Sequence, residues 1–164
     1  MSTVKTSQPT IATRRSNSTA PAPAARTVAM CATVVTGAAV PLLRHFASST
    51  ARRWGLPAEP TDTMSLVVTE LTTNVVLHSG SREVSVLLTF DGAAVFIEVK
   101  DAGQWQARRG PRLVAEDANA AYGRGLQLVK GCTSWFLAFL SAAGTRVVAC
   151  VPVIEGACRE LPVG

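Results

Sequence analysis

No run of 18 apolar residues occurs in the sequence, so no membrane-spanning helix is expected. The apolar stretch Val28–Leu43 follows about 26 polar residues and leads into Arg44 and His45, which is not the layout of a secretion signal. Histidines number two, and the four cysteines (Cys31, Cys132, Cys150, Cys158) form no CxxC pair, which argues against zinc. Reduced, mostly buried thiols are therefore expected, as in the cytoplasm. Aromatic residues are only 5% of the chain, and Trp54, Trp105 and Trp135 are too scattered to form a stacking platform for single-stranded nucleic acid. Trp54 and Trp135 are expected in the core. Acids are missing before residue 27, where Lys5, Arg14, Arg15 and Arg26 stand. The remainder holds 12 basic and 11 acidic residues, so the net charge of +5 describes a tail rather than a folded surface. That distribution argues against a nucleic-acid or membrane partner. Walker loops, GxGxxG and GxSxG motifs are absent as well.

With 164 residues, 48% hydrophobic and 16% charged, the chain reads as one globular domain. Residues 1–26 read as a disordered basic tail, 27–154 as the domain and 155–164 as a loose end. A strand is expected over Thr27–Val35 and a helix over Gly37–Trp54, with Leu43, Phe46, Ala47, Thr50 and Trp54 at helical spacing. Pro41 fits only in that helix's first turn, and Gly55 with Pro57 ends it. A second helix begins near Thr61 or Asp62 as N-cap and stops at Ser79-Gly80. Alternating strands then flank a two-residue turn at Asp91-Gly92. A polar, Arg-rich stretch, Gln104–Tyr122, has the length of a functional lid. A helix starts at Gly123, and a hairpin of Ser134–Ser141 and Thr145–Val153 closes the domain. The order β, α, α, β, β, α, β, β gives an α+β two-layer sandwich: a mixed, mostly antiparallel sheet with helices on one face.

Three stretches can carry chemistry. In the second helix Glu70, Asn74 and His78 lie four residues apart, stacked with only about 40° of drift per step. Met64, Val67, Val68, Leu71 and Val75 fill the adjoining arc, while Thr69, Thr72 and Thr73 point away. The carboxylate, amide and imidazole thus run along the edge of the buried face. They suit ligation of a hard cation and activation of a nucleophile, or simply form a solvated polar edge. Asp101-Ala102-Gly103 ends a strand; its carboxylate can accept a hydrogen bond from an exocyclic amine, and its glycine lets backbone pass a flat ligand, unless this is an ordinary turn. Gly123-Arg124-Gly125-Leu126 opens a helix whose N–H groups suit an anion, or it is a glycine-rich linker. Arg108, Arg109 and Arg112 in the polar stretch can reach phosphates or remain solvated.

In this order, "ELTTNVVLH", "DAG", "GRGL" and the "AGTRVV" at Ala143–Val148 resemble the boxes of the histidine-kinase-like ATP-binding family, which includes gyrase and heat-shock chaperone ATPases. The chain is most similar to the branch of anti-sigma-factor serine/threonine kinases, over roughly Val34–Val153. The resemblance implies ATP with Mg²⁺. It implies Asn74 as the metal ligand, Glu70 as the catalytic base and Asp101 on the adenine amino group, with Gly103 shaping the adenine pocket. Gly123, Arg124 and Gly125 would approach the phosphates, Leu126 would anchor the lid helix, and His78 and Thr145 would lie in the nucleotide site. It further implies a cytoplasmic regulator that transfers the γ-phosphoryl group to a serine of an antagonist protein and binds a sigma factor, possible homodimer formation included. A non-catalytic, ATP-dependent partner-binding module is the alternative; a DNA-associated basic protein is the bland one. Two positions depart from the family's pattern: Gln104-Trp105 follow the second box where another glycine is common, and Gly144-Thr145-Arg146 lacks a lysine usual in this branch.

Overall fold

The computed structural model describes residues 26–103 and 124–157. The expected tail up to residue 25, the whole expected lid with Trp105, Arg108, Arg109 and Arg112, Gly123, and Cys158 lie outside the described residues. Eight elements follow one another: β1 (Thr27–Val34), α1 (Ala39–Arg53), α2 (Ala58–His78), β2 (Glu83–Phe90), β3 (Ala94–Asp101), α3 (Arg124–Cys132), β4 (Trp135–Ser141) and β5 (Gly144–Pro152). This is the expected order. The strands form one sheet in the order β1-β2-β3-β5-β4. Every described pairing is antiparallel, so the sheet is not mixed.

Period-two alternation sends Val84, Val86 and Leu88 of β2, Val95, Ile97 and Val99 of β3, and Val147, Ala149 and Val151 of β5 to one face. There they meet Met64, Val67, Val68, Leu71 and Val75 of α2, all fully buried, with Leu126 and Val129 of α3. Burying such side chains is worth about 1.5–3 kcal/mol each, which makes this seam the main cohesive contact. Helix α1 packs beside α2 on the same sheet face through Leu43, Ala47 and Ala51, one residue per turn and none of them exposed. Alanines at that spacing let the two helices approach closely. Trp54, half-buried at the end of α1, stacks on Phe90 with ring centroids 6.0 Å apart.

Several expectations are corrected. Thr69 and Thr72 do not face solvent: they are buried, because α1 lies beside α2 on the same face of the sheet and packs against that flank. Thr69 Oγ1 accepts a hydrogen bond from Arg44 Nε at 2.7 Å and donates to Ser65 O at 2.6 Å. Helix α2 starts one turn before Thr61, after Pro57, and Thr61 Oγ1 donates to Pro57 O at 2.8 Å instead of capping the helix. Pro60 is accommodated because first-turn residues need no amide donor. The hairpin turn is centred on Gly92-Ala93, with Asp91 N–H donating to Ala94 O, and Asp91 Oδ1 accepting from the Ala93 and Ala94 amides at 2.9 and 2.8 Å. Trp135 lies on the sheet face away from the helices, tilted against Phe96, rather than in the core. Cys31 and Cys132 are free thiols, as expected, but Cys150 is disulfide-bonded.

Candidate functional site

Helix α2 is the spine of the site. From Glu70 to Ser79 it rises about 13 Å, the reach of an extended nucleotide, and both ends of that span are engaged by other segments. At one end the start of α3 abuts Glu70. A β-carbon on Gly125 would collide with Glu70 Oε2 and come within 3.3 Å of its carboxyl carbon. A glycine there lets the first turn of α3 lie against that carboxylate without displacing it. Leu126, next in sequence, is buried in the core and fixes the turn there. Arg124 is exposed at the first position of α3.

At the other end the Asp101–Gly103 turn closes on the C-terminus of α2. A β-carbon on Gly103 would meet the Ser79 carbonyl and lie 2.8 Å from Ser81 N. A serine relay fastens the turn. Ser79 Oγ donates to Val75 O at 2.8 Å and accepts from Ser81 N–H at 3.0 Å, while Ser81 Oγ accepts from Ala102 N–H at 3.1 Å. Asp101 is 4% exposed, and its Oδ1 accepts the Gly103 amide at 2.7 Å. The final hairpin roofs it: Thr145, buried, stands opposite Asp101 in the β3–β5 register. Gly144, at φ 130°, passes so close to the Asp101–Ala102 backbone that a β-carbon there would meet the Asp101 carbonyl and lie 2.7 Å from Ala102 Cα.

Between these ends sits Asn74, half-buried, and its Nδ2 is buried without a hydrogen-bond partner among the described residues. An orphaned amide costs free energy unless a ligand completes it. Turned about its own axis, the same amide presents Oδ1, the atom type a magnesium ion takes. Among the described residues no three His, Cys, Asp or Glu side chains cluster, so a cation here would be shared between Asn74 and phosphate oxygens. The residues present therefore fit Mg-ATP. His78 is the last residue of α2, half-buried beside the Ser79 anchor.

The structure thus joins Glu70 with Gly125 and Leu126, and Asp101 with Gly103 and Thr145, along one helix that also carries Asn74 and His78. One participant escaped the sequence reading: Gly144 was visible only as a turn residue. Cys132, at the end of α3, lines a neighbouring groove. Burial pushes the Cys132 thiol above its ordinary pKa of 9.0, its own backbone hydrogen bond opposes the rise, and the Glu70 carboxylate adds to it. A separate groove of about 550 Å³, lined by Pro57, Glu59, Cys132 and Val151–Glu155 among others, contains none of the residues chosen from sequence.

A family model described as a histidine kinase-like ATPase domain matches residues 34–151. The crystal structure of the RsbU and RsbW domains of Rv1364c from Mycobacterium tuberculosis has a similar fold, with a TM-score of 0.56 and 17% identity, covering 76% of this chain and 32% of that chain. The Erythrobacter litoralis EL346 blue-light activated histidine kinase overlaps with a TM-score of 0.44 and 24% identity over 62% of this chain and 33% of its own. This chain thus spans about a third of the length of either structure. No curated protein matches it.

Proposed function

Because the chain belongs to the histidine kinase-like ATPase domain family and is built to bind ATP, we propose that it is a serine/threonine protein kinase of the anti-sigma-factor type. Its protein substrate is an antagonist that presents a serine, and its second partner is a sigma factor; both are met in the cytoplasm. The observation that carries this reading is the packing of Gly125 on the Glu70 carboxylate. It sets a candidate base at the mouth of a helix N-terminus, where phosphates are favoured by aligned N–H groups.

Bound Mg-ATP supplies the phosphoryl group and the cation that neutralises its charge. The residues of this chain do the rest. Asp101, held by Gly103 N–H and roofed by Thr145, accepts a hydrogen bond from the adenine amino group. Asn74 offers its amide oxygen to the cation. Glu70 takes the proton from the serine hydroxyl as its oxygen bonds to phosphorus, with ADP leaving. Phosphoryl transfer depends mostly on positioning and charge compensation, so one carboxylate and one amide on a rigid helix suffice in outline.

The test is incubation with γ-labelled ATP and candidate antagonist proteins, comparing wild type with Glu70→Gln. Label on an antagonist serine is expected with wild type, together with a large loss in Glu70→Gln that leaves ATP binding intact. ATP binding without label transfer to any antagonist would overturn the kinase and leave a module whose partner affinity is tuned by ATP.

A further inference from the structure

The groove of about 550 Å³ lies at the end of α2 remote from Asp101, and none of the residues assigned to the nucleotide lines it. Pro57 at the start of α2, Pro152 and Ile154 at and beyond the end of β5, and Cys132 at the end of α3 form its walls. Two carboxylates stand on it, Glu59 and Glu155. Both are exposed, and neither makes a hydrogen bond or ion pair among the described residues. No basic side chain lines the groove among the described residues. Apolar walls under unpaired carboxylates suit arginine, whose stem lies along apolar surface while its guanidinium forks onto the acid.

The chain carries such arginines on a tether of known origin. Residues 1–25 hold Lys5, Arg14 and Arg15 and no acid, and they join the fold at the start of β1. That start lies at the groove's end of the sheet. Thr27 pairs with Phe90, Phe90 with Val95, and Val95 with Val151 of the groove wall. Three strand spacings, about 14 Å, therefore separate the tether point from the groove. Trp54, stacked on Phe90, is three residues from Pro57 and lies on the way. The 11 residues Ser16–Arg26 join Arg15 to Thr27. A flexible chain of that length averages about 18 Å end to end. A tether whose average length matches its span holds even a weak ligand at near-millimolar effective concentration. Exposed ion pairs, each shifting an equilibrium only about 1.5–5-fold, need that help. We propose that Arg14 and Arg15 of the chain's own N-terminal segment dock in this groove on Glu59 and Glu155, at the end of α2 opposite the nucleotide site.

Cys132 in the groove wall reports occupancy, and Cys31, half-buried on β1 and outside the groove, is the internal control. The test follows alkylation of both thiols in the full chain with a neutral reagent, resolved by peptide mass spectrometry. Reversing the segment's charge with Arg14→Glu and Arg15→Glu should speed Cys132 about threefold or more and leave Cys31 unchanged. On a background carrying Glu59→Arg and Glu155→Arg, the same reversal should instead slow Cys132, because the complementary charges have been exchanged. A Cys132 rate indifferent to the reversal, or one that moves the same way on both backgrounds, would overturn the proposal. The wild-type rate should be the same at about 1 μM and about 100 μM protein, since a tethered ligand is undiluted. A rate that falls as concentration rises would overturn docking within one chain and assign the groove to the segment of a second copy.

Discussion

Replacing Gly125 by alanine sets a methyl group against the end of the Glu70 side chain, and that end can swing away. The fold should survive while the base is displaced by about 1 Å, a shift that can cost on the order of 100-fold in rate. Gly125→Ala is therefore expected to keep its urea midpoint and to lose phosphoryl transfer; unchanged transfer would separate Glu70 from the reaction. Gly144 differs in kind. Its neighbours are the backbone of Asp101 and Ala102, which cannot swing, and its φ of 130° is one that a side chain resists. Gly144→Ala should cost at least about 2 kcal/mol in denaturant unfolding and weaken ATP binding along with it. Neither distinction is visible in the letters: both are glycines in a glycine-bearing turn, and only the identity of the facing atoms tells a local adjustment from a structural failure.

At the level of elements, α2 is packed on the sheet by one flank and on its neighbour α1 by another, and this explains an oddity in its threonines. Thr72 is fully buried and its hydroxyl has no partner among the described residues. Thr72→Val keeps the shape and removes an unsatisfied polar atom, so it should be neutral or stabilising by up to about 1 kcal/mol in thermal unfolding; a loss would reveal a partner for that hydroxyl. The strands were legible in the sequence because alternation is a local property, written into Val84–Phe90 and Val95–Val99. The Glu70–Asn74–His78 row and its apolar arc were legible for the same reason. The outward assignment of Thr69 and Thr72 failed because an arc drawn for one helix shows a single buried face and cannot register a second neighbour. The late start assigned to α2 failed because Thr61 has the chemistry of a cap but spends its hydroxyl on Pro57 O. The meeting of Asp101, Gly144 and Thr145 depends on strand register between segments far apart in sequence, which no local pattern encodes.

Taken as a whole, the molecule sets Glu70 where α2 meets α3, with Cys132 at the far end of α3. The raised Cys132 thiol gives this arrangement a pH signature. Folding holds that proton more tightly than the unfolded chain does, so the associated stability is complete below pH 9.0 and is lost as pH rises through the shifted value. Melting temperature should fall above that pH, and Cys132→Ala should flatten the fall; an unaltered slope would place the titration elsewhere. Glu70→Gln should also speed alkylation of Cys132 at alkaline pH, since the carboxylate is one cause of its reluctance to ionise. The β3–β5 pairing also has a temporal side. Asp101 leaves the ribosome well before Gly144 and Thr145, which lie over it. If Asp101 seats adenine as proposed, a nascent chain arrested before Gly144 holds that seat unroofed, and ATP should stabilise it less than the chain with β5 in place.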